Sequence, residues 1–227
     1  MRWALLLLAL AGCASTGVPA RPDGPFSDGE LIELMFVWRE GERRRDPEMS
    51  ERVLHFARSS DRRRHEAELE YLDGTPAGPI RVPAEFRLVC RPAGTDEGDY
   101  LFLEPAGPGY AATIVTIVRV RGRPRILYVP PLVTAEERAA RQPDEVARLA
   151  AQRRIGHWQS LEGQELEAEL AHLKRSLRYQ AEARAYAERE KLPMPPFEPD
   201  PTAILGDLEG RDAVAARDRV VALLRGV

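Results

Sequence analysis

The first strong pattern of hydrophobic and polar positions predicts an amphipathic helix over residues 27–41. Ser27 and Glu30 have capping-box spacing, in which each side chain bonds the backbone N–H of the other residue. Apolar residues then recur three and four positions apart, at Leu31, Leu34, Met35 and Trp38. This spacing is typical of a helix that is buried along one stripe, and Gly41 is predicted to end it.

A second helix is predicted to begin at Asp46-Pro47, because Asp caps a helix and Pro fits its first turn. Its apolar positions are Met49, Val53 and Phe56. We expect the two helices to cover one face of a sheet.

Alternating apolar and polar residues predict that sheet. Residues 65–71 alternate His65, Ala67, Leu69 and Tyr71 with glutamates, and residues 80–91 alternate apolar residues with arginines. We expect these two strands to pair as an antiparallel hairpin, with Pro83 at an edge or a bulge. Three more strands are predicted at 100–104, 110–120 and 125–131, and apolar residues on both faces around 114–118 indicate that the later strands are central.

From Thr134 onward the pattern is helical. One helix is predicted from Thr134 to about Arg154 with a restart at Pro143, another from about 160 to 191, and a last one over 211–224. The long helix carries a narrow leucine stripe, at Leu166, Leu170, Leu173 and Leu177, whose width is typical of a helical hairpin. We expect its partner to be the helix that precedes it, in an antiparallel pair.

These elements predict an α+β protein with two N-terminal helices, a roughly five-stranded antiparallel meander sheet, a C-terminal helical hairpin and a final helix. The predicted organisation has six segments. They are a signal peptide at 1–12, a flexible tether at 13–26, the helix-plus-sheet domain at 27–133, the helical hairpin at 134–192, a Pro-rich linker at 193–210 and the last helix at 211–227.

The N-terminus has the three parts of a secretory signal: Arg2, an apolar run from Trp3 to Leu10, and small residues before Cys13. The residues Leu10-Ala11-Gly12-Cys13 resemble the lipobox of bacterial lipoproteins. The resemblance implies that Cys13 carries a diacylglyceryl group, that cleavage occurs before it, and that the new amine is acylated, for example with palmitate. It also implies a membrane anchor at Cys13 and a place in the bacterial cell envelope, at the outer membrane facing the periplasm.

Composition narrows the functional classes. The chain has two cysteines, so with Cys13 acylated Cys90 has no partner for an intramolecular disulfide. The net charge of -3 and the arginine-rich, alanine-rich composition give no sign of nucleic-acid binding. No phosphate-binding glycine loop, C-x-x-C, H-E-x-x-H or G-x-S-x-G motif is present, and no cofactor is expected.

Two sets of residues suggest chemistry, and each has a simpler interpretation. Glu165, Glu169 and His172 share one side of the long helix, and residues 169–172 match the Glu-x-x-His element of di-iron bundles. A second such element is missing from the sequence, so a solvated acidic helix face is favoured and no metal is expected. Cys90 and His65 are the one conceivable thiol nucleophile and base, but the alternation of Cys90 with Phe86 and Leu88 favours a buried structural thiol.

Three arginine clusters could bind anions or lipid headgroups, at 42–45, 61–64 and 119–125. Neighbouring acids favour solvated ion pairs in the first two. The third cluster has few acids nearby in the sequence.

Two functional hypotheses follow. The first is a non-catalytic, lipid-anchored module that binds a protein partner or another envelope component. The alternative is a lipid-anchored enzyme or small-ligand-binding protein with a pocket between the N-terminal helices and the sheet. A deep cavity with converging polar groups under residues 31–38 would favour the alternative.

Overall fold

The computed structural model describes residues 24–71, 82–195, 197 and 200–225, and it confirms the α+β class. The helices are α1 (Asp28–Arg44), α2 (Pro47–Glu51), α3 (Ser59–Tyr71), α4 (Ala135–Ala139), α5 (Pro143–Ser160), α6 (Gly163–Glu190), α7 (Pro201–Leu208) and α8 (Ala213–Arg225). The strands are β1 (Leu54–His55), β2 (Arg87–Cys90), β3 (Gly98–Ala106), β4 (Gly109–Val120) and β5 (Arg123–Leu127).

The five strands form one sheet in the order β1-β5-β4-β3-β2. Strands β2 to β5 make the predicted antiparallel meander. The fifth strand differs from the prediction, because the two residues of β1 pair parallel with β5. The β4–β5 turn has positive φ at both Arg121 and Gly122, as a two-residue hairpin turn of type I′ requires.

One face of the sheet packs against α1, as predicted. Leu31 and Met35 of α1 are fully buried there against Phe102 and Ile117. The second helix does not extend over the sheet in the same way, because α2 ends at Glu51, before Val53 and Phe56, and packs mainly against α1. The capping box at Ser27 is present with both of its hydrogen bonds.

Helix α1 continues to Arg44, so the prediction that Gly41 ends it is wrong. Gly41 allows close packing of α1 against α2 instead, because a Cβ there would lie 2.8 Å from the backbone nitrogen of Ser50 in α2. The helix ends where Arg45 adopts the left-handed conformation and its N–H bonds back to Glu42 and Gly41.

The opposite face of the sheet packs against the C-terminal half of α6. Tyr179, Ala183 and Ala187 lie one helical turn apart and cover Leu101 and Leu103 of β3. Because β3 alternates its side chains, Tyr100 and Phe102 face α1 while Leu101 and Leu103 face α6. Strand β3 is therefore buried on both faces.

The N-terminal half of α6 lies in a separate helical cluster, and here the predicted pairing is wrong. Leu166, Leu170 and Leu177 are buried and Leu173 is half-buried, as the stripe predicts. Their partners come from α7 and α8, whereas α5 packs mainly against α8. Helix α7 itself lies inside the segment 193–210, which was predicted to be a linker; Asp200 caps it and Pro201 opens it.

The predicted strand at 65–71 is also wrong, because these residues form part of α3. The buried residues of that helix are Asp61, His65 and Leu69, which are spaced four apart and so lie along one helix face. The predicted hairpin of an acidic and a basic strand therefore does not form.

The basic strand is shorter than predicted. Its described part begins with a 3-10 turn at Pro83–Glu85, and β2 follows at the edge of the sheet with an irregular register between Leu88 and Cys90. Within the described residues, every helix is too short or too polar to cross a membrane.

Candidate functional site

The lipidation site predicted at Cys13 lies outside the described residues. The other candidate residues are all described, and the structure places them in different parts of the fold.

Cys90 is a buried thiol that is held by a hydrogen bond. Its Sγ donates to Oε2 of Glu182 on α6 at 2.6 Å. Burial, together with the nearby Glu182 carboxylate, raises the pKa of Cys90 to about 12. A nucleophilic cysteine needs the opposite environment, one that stabilises the thiolate.

His65 is not beside Cys90. It packs against the rings of Phe56 and Tyr128, with centroid distances of 5.7 and 5.4 Å, whereas Cys90 packs on the α6 side of the sheet. The proposed thiol–imidazole pair is therefore not assembled. Burial lowers the pKa of His65, so its neutral form is favoured in the folded protein.

The His65 Nε2 and Tyr128 Oη atoms are both buried without a hydrogen-bond partner among the described residues.

The candidate metal residues on α6 do not converge. Glu165 is exposed, Oε1 of Glu169 lies 3.7 Å from Nε2 of His157, and His172 turns to the sheet. In the described part of the chain, no group of three His, Cys, Asp or Glu residues is placed to hold a metal ion.

A buried carboxylate that sequence analysis missed lies where α6 crosses the sheet. Asp99 of β3 accepts hydrogen bonds from Oγ1 of Thr116 at 2.7 Å and from Nε of Arg175 at 2.9 Å, and Nδ1 of His172 lies 3.2 Å from it. Burial opposes ionisation, but these contacts outweigh it and hold the pKa of Asp99 below its ordinary value. The cluster therefore joins α6 to the sheet by charge.

A second buried carboxylate, Glu104, lies on the α1 face of the same strand. Arg39 binds it through two parallel hydrogen bonds of 2.7 and 2.6 Å, and Thr113 also donates to it. The Arg39 guanidinium stacks 4.1 Å from the centroid of the Trp38 ring. Sequence analysis offered no signal for this pair, because 65 positions separate its members.

The concave surface beside α1 is an open groove of about 620 Å³ between α1 and residues 83–88. Apolar side chains form most of its lining: Ile32, Phe36, Val37, Pro83, Ala84 and Leu88. The guanidinium of Arg87 is already bound to the backbone oxygens of Ala84 and Phe86. The groove is therefore suited to apolar contact and does not present converging polar groups.

Ion pairs of the predicted kind form at Arg43 and Arg44 in the first arginine cluster and at Arg62 in the second. Arg43 and Arg44 bind Glu40 at 2.5 and 2.6 Å, and hydrogen bonds from Arg43 and Arg44 lower the pKa of Glu40 to about 2. Arg62 lies 3.4 Å from Glu51.

In the third cluster Arg119 is the residue with structural partners. It donates to Oδ2 of Asp96 at 2.9 Å and to the backbone oxygen of Gly24 at 2.8 Å, and it lies over the Phe26 ring.

Comparison with protein-family models, with curated proteins and with solved structures finds no match to this chain.

Proposed function

We propose that this chain is a lipid-anchored protein of the bacterial cell envelope that acts as a non-catalytic binding module. The observation that carries the anchor is the sequence Leu10-Ala11-Gly12-Cys13, which follows a short apolar run and resembles a lipobox. Acyl chains on Cys13 hold the protein to the membrane, and two or more chains make such anchoring stable.

The groove beside α1 supports the binding role. It presents half-buried apolar side chains next to the edge strand β2, with the exposed carboxylate of Glu33 at its rim. An apolar segment of an envelope protein that carries a basic residue has the complementary chemistry. The buried, protonated Cys90 further supports a role without covalent catalysis.

A second candidate function is the binding of a small apolar ligand in the same groove. Its volume of about 620 Å³ favours this candidate, since small-molecule sites range from roughly 300 to 1,000 Å³. The apolar lining restricts such a ligand to one with few polar groups.

The anchor is tested by labelling cells that express the chain with radioactive palmitate. The wild type should incorporate label and sediment with membranes, whereas Cys13→Ser should do neither, because acylation needs the thiol. Cys90→Ser is the matched control and should label like the wild type. A labelled Cys13→Ser chain would contradict the proposal.

The groove is tested by placing a photo-crosslinking amino acid at position 33 in the groove and, as a control, at position 167 on the exposed face of α6. A protein partner should give a discrete adduct from position 33 alone, and Val37→Glu should abolish it. A small ligand should instead give an adduct of low mass. Equal adducts from both positions, or none from position 33, would refute binding at this groove.

A further inference from the structure

The β4–β5 turn lies at the point where the N-terminal segment joins the fold. The backbone oxygen of Gly24, the first described residue, accepts a hydrogen bond from Arg119 near the end of β4. The third arginine cluster is therefore at the same end of the domain as the connection to Cys13.

The remaining arginines of this cluster have no acidic partner among the described residues. Arg121 and Arg123 are exposed and Arg125 is half-buried, and none of the three forms an ion pair with a carboxylate in the described part of the chain. Burial and the neighbouring charge of Arg123 both lower the pKa of Arg125. An anion placed between these two guanidinium groups would screen their mutual repulsion and compensate the cost of burying the Arg125 charge.

The backbone register gives the cluster a defined face. Arg123 and Arg125 lie two residues apart on β5, roughly 6.6 Å along the strand, and so point to the same side. Their direct partners on β4 are Val120 and Val118, which are half-buried and belong to none of the three apolar clusters. This face combines cationic head groups with apolar surface, the combination that suits the boundary between lipid headgroups and acyl chains.

The acids at this end of the domain are mostly engaged. Asp96 binds Arg119, Asp28 binds Arg91, and Glu30 accepts hydrogen bonds from Ser27. Glu30 keeps its negative charge, because Ser27 is neutral, and Glu97 is a second exposed acid in the adjacent β2–β3 loop. The three arginines have no acidic partner among the described residues and outnumber these two acids, so the described side chains at the turn carry an excess of positive charge although the whole chain has a net charge of -3.

We propose that the face formed by Arg121, Arg123 and Arg125 docks on an anionic membrane surface and orients the domain on the bilayer to which Cys13 is anchored. This inference rests on the proposed function for the anchor. Ten residues separate Cys13 from Gly24, so the fold begins at most about 40 Å from the lipid. Confinement at that distance makes even a weak electrostatic contact effective, and the contact fixes the orientation of the domain on the membrane.

The experiment uses the full-length Cys13→Ser chain, which cannot be acylated at residue 13, and measures co-sedimentation with phosphatidylcholine vesicles that contain or lack phosphatidylglycerol. The test variant combines Arg121→Asn, Arg123→Gln and Arg125→Gln. The control variant combines Arg141→Gln, Arg148→Gln and Arg154→Gln, which removes the same charge from exposed positions in α5 and in the bend before it.

At low salt the test variant should bind phosphatidylglycerol vesicles on the order of a hundredfold more weakly than its parent, because each arginine near an anionic surface contributes about fivefold. The control variant should change this binding by no more than a few-fold. Phosphatidylcholine binding should be equal for all three chains. Salt of about 0.5 M should remove the difference, since it shortens the screening length to a few ångströms.

Equal losses in the two triple variants would overturn the proposal, because binding would then follow net charge alone. A parent chain that does not distinguish the two vesicles would also overturn it and would point to an acidic protein as the ligand of this face. If the triple variant melts early, Arg121→Asn alone, at an exposed turn position, should still lose about fivefold. Since every chain lacks the Cys13 thiol, failure here leaves the palmitate result intact, and a failed palmitate test leaves this result intact.

Discussion

The buried environment of Cys90 predicts that the thiol reacts slowly in the folded protein. The Cys13→Ser chain is the protein for this measurement, since Cys90 is then its one thiol. The reaction with iodoacetamide is followed at about pH 8, in the native state and in concentrated guanidinium chloride.

The magnitude follows from the pKa. A rise from the ordinary value of 9.0 to about 12 lowers the thiolate fraction about a thousandfold at any pH well below 9. A thiolate of higher pKa is intrinsically more nucleophilic, so the rate constant of each thiolate rises about 20- to 30-fold and offsets part of this loss. The native rate constant should therefore be at least about 30-fold below the unfolded one, and the burial of Cys90 under α6 slows it further.

Glu182→Gln removes the carboxylate that accepts the Cys90 hydrogen bond, so native labelling should become faster while it remains slower than unfolded labelling. Glu188→Gln, on the exposed face of the same helix, should leave the rate unchanged. A native rate within about threefold of the unfolded rate would refute the argument and restore Cys90 as a candidate nucleophile.

Three further predictions concern the described core. Leu170→Asp buries a charge in the cluster of α6, α7 and α8 and should cost several kcal/mol of unfolding free energy, measured with urea; an unchanged melting curve would show that this stripe faces solvent. Arg39→Leu leaves the Glu104 carboxylate buried and should cost about 3–5 kcal/mol, whereas adding Glu104→Leu should restore much of it; a double variant no more stable than Arg39→Leu would contradict this account. Burial lowers the pKa of His65, so its neutral form contributes stability that is complete above about pH 6.5 and is lost as the pH falls and the unfolded chain takes up the proton. His65→Phe should flatten the dependence of the urea midpoint on pH below 6.5, and a parallel decline in both proteins would assign the dependence to other groups.

Local signals in the sequence determined many of the helix starts and the central strands. The capping boxes at Ser27 and Thr134 and the cap at Asp46 form as predicted, because their hydrogen bonds join residues three positions apart. The apolar segment 110–120 forms β4 because a strand that is covered on both faces must be apolar on both. Asp200-Pro201 has the same helix-start signal as Asp46-Pro47, so α7 was predictable from the sequence. The many prolines in the segment before it led instead to the prediction of a linker.

The error at residues 65–71 has a physical reason. Alternation with a period of two places His65 and Leu69 on one strand face, but the same two residues are four apart and also share one helix face. Local spacing therefore allowed both structures. The tertiary structure selects the helix. Asp61, one helical turn before His65, is buried on the same face of α3.

Long-range pairing was decided by the tertiary structure alone. The leucine stripe of α6 predicted that a helix would cover it, but any apolar helix face satisfies that need. Helices α7 and α8 supply most of the cover, and α5 reaches the same cluster only at its end, through Ile155 and Trp158. The arginine partners of Asp99 and Glu104 lie 76 and 65 residues away, and a charged residue in a strand carries no local mark of such a partner. The same holds for the third arginine cluster: its composition was visible in the sequence, but its position beside Gly24 depends on where the turn of the sheet meets the N-terminal segment.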